Sequence, residues 1–211
     1  KQMATLRVIS GSAKGKRLKT VPGDSTRPIT DQVKEALFNI LADEVLDIDI
    51  LDLFGGTGAV GIEALSRGAN SVLFLDTSHQ AIKVIKDNLQ TTKFSQQATV
   101  IRGDAFAYIQ NPSRLGYDLI YVAPPQYKDM WEKAMRLLDE NPDLLHDDGQ
   151  IIVQINPIEW SEQNYENFIE FDRRKYGDTE LIFFEKPYDD LDEVGSNDNA
   201  ESDPNENDIL N

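Results

Sequence analysis

The sequence predicts an α/β domain built on a mostly parallel sheet, and three observations carry that reading. Short, continuously apolar runs of strand length alternate with amphipathic stretches of helical period, the pattern of strands buried on both faces and covered by helices. A glycine-rich turn, Gly56-x-Gly58-x-x-Gly61, leads from the first of these strands into a helix. The last two apolar runs flank Gly177-Asp178, a hairpin signal that breaks the crossover pattern. The sheet is therefore expected to hold seven strands, with an antiparallel C-terminal hairpin and helices on both faces.

The elements follow in order. "LRVISGSAKGKRLKTV" alternates apolar and polar residues around a Gly and Ser turn, which predicts a β-hairpin. In "STRPITDQVKEALFNIL" the period changes: Val33, Ala36, Leu37, Ile40 and Leu41 fall on one helix face, with Thr30 or Asp31 as N-cap. "DILDLF" is a strand and Gly58 to Arg67 a helix; "SVLFLD" is a strand and Ser78 to Leu89 a helix with Ala81, Ile82, Ile85 and Leu89 inward. "ATVIRG" precedes a short helix from Ala105, "YDLIYVA" precedes a helix from Met130 to Asp139, and "GQIIVQI" is the fifth strand. The hairpin "FIEFDRRKYGDTELIFFEK" supplies the last two. From Pro187 the chain is rich in Asp, Glu, Asn and Ser, too poor in apolar surface to offset its ordering entropy, so 187–211 is expected to be a disordered acidic tail behind a single domain, 1–186.

Composition excludes some chemistry. There is no cysteine, and there are only two histidines, His79 and His146, so disulfides and cysteine- or histidine-rich metal sites are ruled out and no metal is expected. No run approaches the roughly eighteen apolar residues of a membrane span, so no membrane partner is expected. The net charge of −16 conceals an asymmetry: Glu185 to the end carries −9, while the first 34 residues carry +6. A basic arm on an acidic chain keeps a nucleic-acid partner open.

The glycine turn raises the question of its ligand. In open α/β sheets ligands bind beyond the carboxyl ends of the strands, where strand order reverses. Four segments end strands with polar or special residues: Asp52 to Gly58, Asp76-Thr77, Gly103-Asp104-Ala105, and Ala123-Pro124-Pro125. Gly55, Gly56 and Gly58 let backbone approach a ligand closely. Asp76, twenty residues after Gly56, suits two ribose hydroxyls, and Asp104 suits an adenine amino group. Asp52 decides the class of cofactor. Unit charges about 4 Å apart at an effective dielectric near 20 interact by roughly 4 kcal/mol, repulsive toward a pyrophosphate and attractive toward the ammonium and sulfonium of S-adenosylmethionine. A cationic adenosine cofactor is therefore expected. The paired prolines stiffen the fourth segment and leave carbonyls free to accept, as needed to orient a base amino group whose lone pair must face a methyl donor; Tyr127 is a candidate stacking ring.

Four stretches, "RPITDQVKEALFNIL", "LDLFGGTGAVGIEALSRGA", "YDLIYVAPPQY" and "YGDTELIFFE", resemble in order the RsmD-type 16S ribosomal RNA guanine-N2 methyltransferases, from about Arg7 to Glu185. The resemblance implies a Rossmann-like class I methyltransferase fold and transfer of a methyl group from S-adenosylmethionine to the N2 of a guanine in small-subunit ribosomal RNA. It implies cofactor binding by Gly55, Gly56, Gly58, Asp76 and Asp104; with the neighbouring strand-end residues the expected cofactor site is Asp52, Phe54, Gly55, Gly56, Thr57, Gly58, Asp76, Thr77, Asp104 and Ala105, and the expected catalytic loop is Ala123, Pro124, Pro125, Gln126 and Tyr127. The arm at 1–30, with Arg7, Lys14, Lys16, Arg17 and Arg27, would face ribosomal RNA or the small subunit, in a monomer working in the cytoplasm or, behind a trimmed transit peptide, a chloroplast matrix. One departure stands out. Where the family has Asp or Asn, then two prolines and an aromatic, this chain has Ala123 and Gln126, which lack the acid and the ring; a catalytically impaired RNA-binding or assembly factor is the alternative.

Overall fold

The structure is a computed structural model that describes residues 6–22, 29–126 and 129–187. Arg27, Tyr127 and the acidic tail from 188 onward lie outside the described residues.

Seven strands form one sheet: β1 (Asp49–Asp52), β2 (Ser71–Asp76), β3 (Ala98–Arg102), β4 (Tyr117–Val122), β5 (Leu145–Ile155), β6 (Ile169–Tyr176) and β7 (Thr179–Glu185). Their order is β3-β2-β1-β4-β5-β7-β6. The first five run parallel, and β7 pairs antiparallel with both β5 and β6, as the hairpin signal at Gly177 predicts. Strand order therefore reverses between β1 and β4, where crossovers leave in opposite directions and open a crevice. Alternation along the strands supplies two cores. Ile50, Phe74, Leu119, Ile152 and Phe183 face one side, under α1 (Asp31–Leu41), α2 (Ala59–Arg67) and α3 (His79–Thr92). Leu51, Leu73, Ile120, Val153 and Phe184 face the other, under α4 (Ala105–Gln110) and α5 (Met130–Glu140). Each fully buried large apolar side chain contributes about 1.5–3 kcal/mol, so both layers are needed. No helix among the described residues is long and apolar enough to cross a membrane.

Two expectations need correction. Among the described residues the N-terminal segment is hairpin-shaped without regular strands, held by an antiparallel bridge between Arg7 and Arg17 with flanking backbone bonds such as Leu18 N–H to the Leu6 carbonyl, 2.8 Å. Its amides are committed elsewhere. Ile9 and Ser10 donate to the Glu63 carboxylate at 2.8 and 2.9 Å, Ser12 donates to the Ser66 carbonyl at 2.7 Å, and Ala13 donates to Ser66 Oγ at 2.9 Å. Gly11 is obligatory at this docking point: its φ is +80°, and a Cβ there would lie 1.7 Å from the Ser66 carbonyl oxygen.

The buried face of α1 is also rotated from the expected stripe. Thr30 caps it, accepting from Val33 N–H, but the inward residues are Val33, Lys34, Leu37, Phe38 and Leu41, while Ile40 is 37% exposed. Lys34 is fully buried because it meets Glu63 on α2 at 3.4 Å and donates to the Arg7 carbonyl. Burial lowers its pKa, with Glu63 and Asp31 opposing the shift. Arg67 closes the cluster on Glu63 at 2.9 Å. A base counted in the basic arm is thus an internal strut, and Glu63 is the post to which arm and helix are tied.

Candidate active site

The crevice at the β1/β4 reversal is a cavity of about 730 Å³, and all four polar strand ends contribute to its lining. From the glycine turn come Asp52, Phe54, Gly55, Gly56 and Thr57; from the next two strand ends come Asp76, Thr77, Asp104 and Ala105; from the proline loop come Ala123 and Pro125. Gln126 lines an adjoining cavity of about 380 Å³ instead. Asp129 is exposed, and it lines neither cavity.

The glycines divide their work. Gly55 donates to the Leu75 carbonyl at 2.7 Å, and a Cβ on it would meet Ile85 at 2.8 Å, so it lets the turn sit against β2 and α3. Gly56 has φ +54°, and a Cβ there would meet the Phe54 carbonyl oxygen at an unstrained 3.9 Å, so the turn presents bare backbone at this position. Gly58, expected to touch the ligand, is buried as the left-handed N-cap of α2, its Cβ direction facing Ile62 and Ile85 at 3.3 and 3.5 Å. Gly61 fits because a Cβ would strike the Phe74 ring at 2.5 Å.

Asp76 braces the turn: Oδ2 accepts from Gly56 N–H at 2.9 Å and Oδ1 from Ser78 N–H at 2.8 Å. Each oxygen retains a lone pair, so it remains able to accept from a ligand hydroxyl, though its orientation is set by the backbone. Asp104 Oδ1 caps α4 by accepting from Ala107 N–H at 2.9 Å, which leaves Oδ2 outside the cap.

Asp52 is the unusual residue. It is 2% exposed, and its Oδ1 has no hydrogen-bond partner among the described residues. Burial pushes its pKa up to about 7; the Phe54 amide opposes the shift and the Asp76 charge reinforces it. A buried acceptor with no donor is costly, by roughly 1–3 kcal/mol, and a cationic ligand in the adjoining cavity relieves it. The donor set therefore fits S-adenosylmethionine: a carboxylate for positive charge, Asp76 for hydroxyls and Asp104 for an amino group. On the same face of the sheet, Tyr121 donates to Gln154 Oε1 at 2.5 Å, its phenol held protonated by burial and by the nearby Asp52 charge.

The sequence reading missed one wall. Thr20, Val21, Pro22 and Ile29 line the larger cavity, brought over the glycine turn by Asn88 on α3. Asn88 is fully buried; Oδ1 accepts from Lys19 N–H at 2.8 Å, and Nδ2 donates to the Lys19 and Thr57 carbonyls at 3.1 and 2.9 Å. A signal existed, since Asn88 falls three residues after Ile85 on the apolar face of α3, where a polar group needs partners.

The basic residues separate into two sets. Lys14, Lys16 and Arg17 are exposed, whereas Arg7 pairs with Asp31 at 3.1 Å and Lys19 with Asp87 at 2.8 Å. The turn carrying Lys14 is anchored at Ser66, seven residues along α2 from Ala59 at the cavity, which is about 10 Å at the helical rise of 1.5 Å. His79 and His146 are exposed. Trp131 is buried and donates to the Glu159 carbonyl, and Trp160 is stacked under Arg173 at 4.0 Å.

The model of the family described as "Conserved hypothetical protein 95" matches residues 6–185. The chain is similar to YlbH of Bacillus subtilis, 42% identical over 151 residues covering 71% of this chain and 82% of that one. It is similar to ribosomal RNA small subunit methyltransferase D of Haemophilus influenzae, 37% identical over 138 residues covering 64% and 72%. Among solved structures, yhhF of Escherichia coli superposes with a TM-score of 0.74 at 28% identity, covering 86% of this chain and 98% of that one.

Proposed function

The chain belongs to the conserved hypothetical protein 95 family of RsmD-type methyltransferases, and from that premise we propose that it methylates a guanine N2 amino group of small-subunit ribosomal RNA with S-adenosylmethionine as cofactor. The observation that carries the reading is the buried Oδ1 of Asp52, without a hydrogen-bond partner among the described residues, beside the cavity at the strand-order reversal. S-adenosylmethionine, when bound, supplies an electrophilic methyl on a sulfonium. The chain supplies the rest. Asp52 offers negative charge toward the cationic end, Gly56 bare backbone, Asp76 acceptors for ribose hydroxyls and Asp104 Oδ2 an acceptor for adenine. The wall at Thr20–Pro22 restricts water around them. On the acceptor side, the carbonyl of Pro124 and the amide oxygen of Gln126 hold the hydrogens of the guanine amino group, so that its lone pair points into the larger cavity. RNA backbone runs over Lys14, Lys16 and Arg17. The enzyme acts as a monomer in a reducing compartment, bacterial cytoplasm or an organelle matrix.

Calorimetry with S-adenosylmethionine and NAD tests the cofactor: binding of the first is expected, and tight binding of NAD alone would overturn the reading. A second reading has one observation behind it. Ala123 presents only a methyl group where the family has a side-chain acceptor, which favours a factor that binds cofactor and RNA without turnover. Robust methyl transfer excludes it.

A further inference from the structure

We propose that Gln154 reads the acceptor nucleobase: its amide nitrogen donates a hydrogen bond to a ring or carbonyl acceptor flanking the amino group that is methylated. The inference rests on the reading of the site as a nucleobase methyltransferase and adds the residue that recognises the base. Three observations carry it. Gln154 lines both cavities, at the seam between the cofactor crevice and the 380 Å³ space beside Gln126. That smaller space is bordered by hydroxyls and amides, Thr30, Gln32, Gln126, Asn156 and Thr179, with one carboxylate, Asp178, and no lysine or arginine among the described residues lines it. Such a lining is wrong for a phosphate and right for the edge of a base turned out of its stack.

The third observation fixes the direction of the amide. Tyr121 is 3% exposed, and its hydroxyl proton goes to Gln154 Oε1 at 2.5 Å. A buried phenol needs that acceptor, so Nε2 is turned away from Tyr121, and it has no partner among the described residues. The half-buried side chain thus offers a donor at the mouth of a polar pocket without cationic side chains among the described residues, next to the proline loop. Guanine presents a ring acceptor, N3, on one side of its amino group, a donor, N1–H, on the other, and the acceptor O6 beyond.

The test uses the full chain, saturating S-adenosylmethionine and small-subunit RNA in which the mapped target guanine is kept or replaced by 2-aminopurine or 3-deazaguanine. Both analogues retain the amino group; 2-aminopurine lacks O6 and has an acceptor at N1 in place of N1–H, and 3-deazaguanine lacks N3. In single-turnover methyl transfer, Gln154→Ala and Gln154→Glu are each expected to lower the rate on guanine about 2- to 12-fold, the worth of one neutral hydrogen bond, with a smaller change in cofactor affinity. One analogue should lower the wild-type rate by a similar factor and lose nothing further in Gln154→Ala. Gln154→Glu keeps an acceptor for Tyr121 and so separates loss of the donor from loss of packing. Wild-type rates on guanine by both variants, or penalties for both analogues as large in Gln154→Ala as in wild type, would overturn the proposal. Should both variants fail to bind cofactor, wild-type protein using both analogues at the guanine rate overturns it as well. A wild-type enzyme that methylates no RNA is a different result, the failure of the underlying function.

Discussion

Asp52→Asn keeps the shape of the side chain while removing a charge that the fold buries to 2% exposure. Its effects on binding and on stability should have opposite signs. The folded-state pKa is raised by burial from 3.8 to about 7. A carboxyl raised in this way favours the folded state below the unfolded pKa, and that advantage is lost as pH rises toward 7. At 1.36 kcal/mol per unit, the difference of about three units bounds the penalty on the ligand-free protein at roughly 4 kcal/mol at pH 8. Asp52→Asn removes it, so the free variant should melt higher than wild type at pH 8 and show little advantage at pH 4. Cofactor binding should move the other way. An ionised Asp52 about 4 Å from positive charge is worth up to roughly 4 kcal/mol at an effective dielectric near 20, so the variant should bind S-adenosylmethionine about 100- to 1,000-fold more weakly at pH 8. Wild-type affinity should also fall about tenfold per unit as pH drops below 7, because the proton must leave before the cation is attracted, and the variant should lack that slope. Calorimetry from pH 5.5 to 8, with thermal melts of the free proteins, measures both. A variant that binds within threefold of wild type, or melts lower at pH 8, would refute the assignment of Asp52 as the counter-charge.

Four further expectations follow from the geometry. Glu63→Ala strands the buried Lys34 and frees the amides of Ile9 and Ser10, so denaturant melts should show a loss of about 3–5 kcal/mol and early proteolysis of the N-terminal segment. Asn88→Ala breaks the bonds joining Lys19 to Thr57; it should cost about 1–3 kcal/mol of stability and raise the cofactor Kd, and an unchanged Kd would show that the Thr20–Pro22 wall takes no part in binding. Replacing Lys14, Lys16 and Arg17 together with alanine should leave cofactor affinity unaltered and reduce the slope of log RNA affinity against log salt by about 2–3, read by filter binding. Ala123→Asp restores a side-chain acceptor at the rim of the cavity; single-turnover transfer should rise by up to roughly 10- to 150-fold with cofactor affinity nearly constant, and abolished transfer with both ligands still bound would show that the loop holds its substrate otherwise.

What the sequence disclosed and what it hid divide along the range of the interactions. Strands, their parallel sense and the terminal hairpin follow from period and punctuation within a dozen residues, and so do the capping roles of Thr30 and Asp104. The four strand ends share one crevice because a sheet that reverses order between β1 and β4 brings the ends of its strands together. Contacts made across the fold were illegible. Periodicity places Ile40 inward and Lys34 outward, but the Glu63 carboxylate on another helix pulls Lys34 in and rotates the buried face. Alternation predicts paired strands in the arm, but Glu63 and Ser66 take the amides that would have paired. Asn88 reaches Lys19 and Thr57, positions 69 and 31 residues away, so no local pattern announces the wall it builds. Gln154, on a strand whose other residues are mostly core, acquires its role only from the Tyr121 hydroxyl on the neighbouring strand.

The central claim is chemical, and labelled methyl transfer tests it most directly. Full-length protein incubated with methyl-labelled S-adenosylmethionine and small-subunit ribosomal RNA, free or in assembled particles, should place label at one guanine, mapped by primer extension and identified as N2-methylguanine after digestion. Binding of cofactor and RNA with no label transferred, or label on another base or atom, would contradict the account.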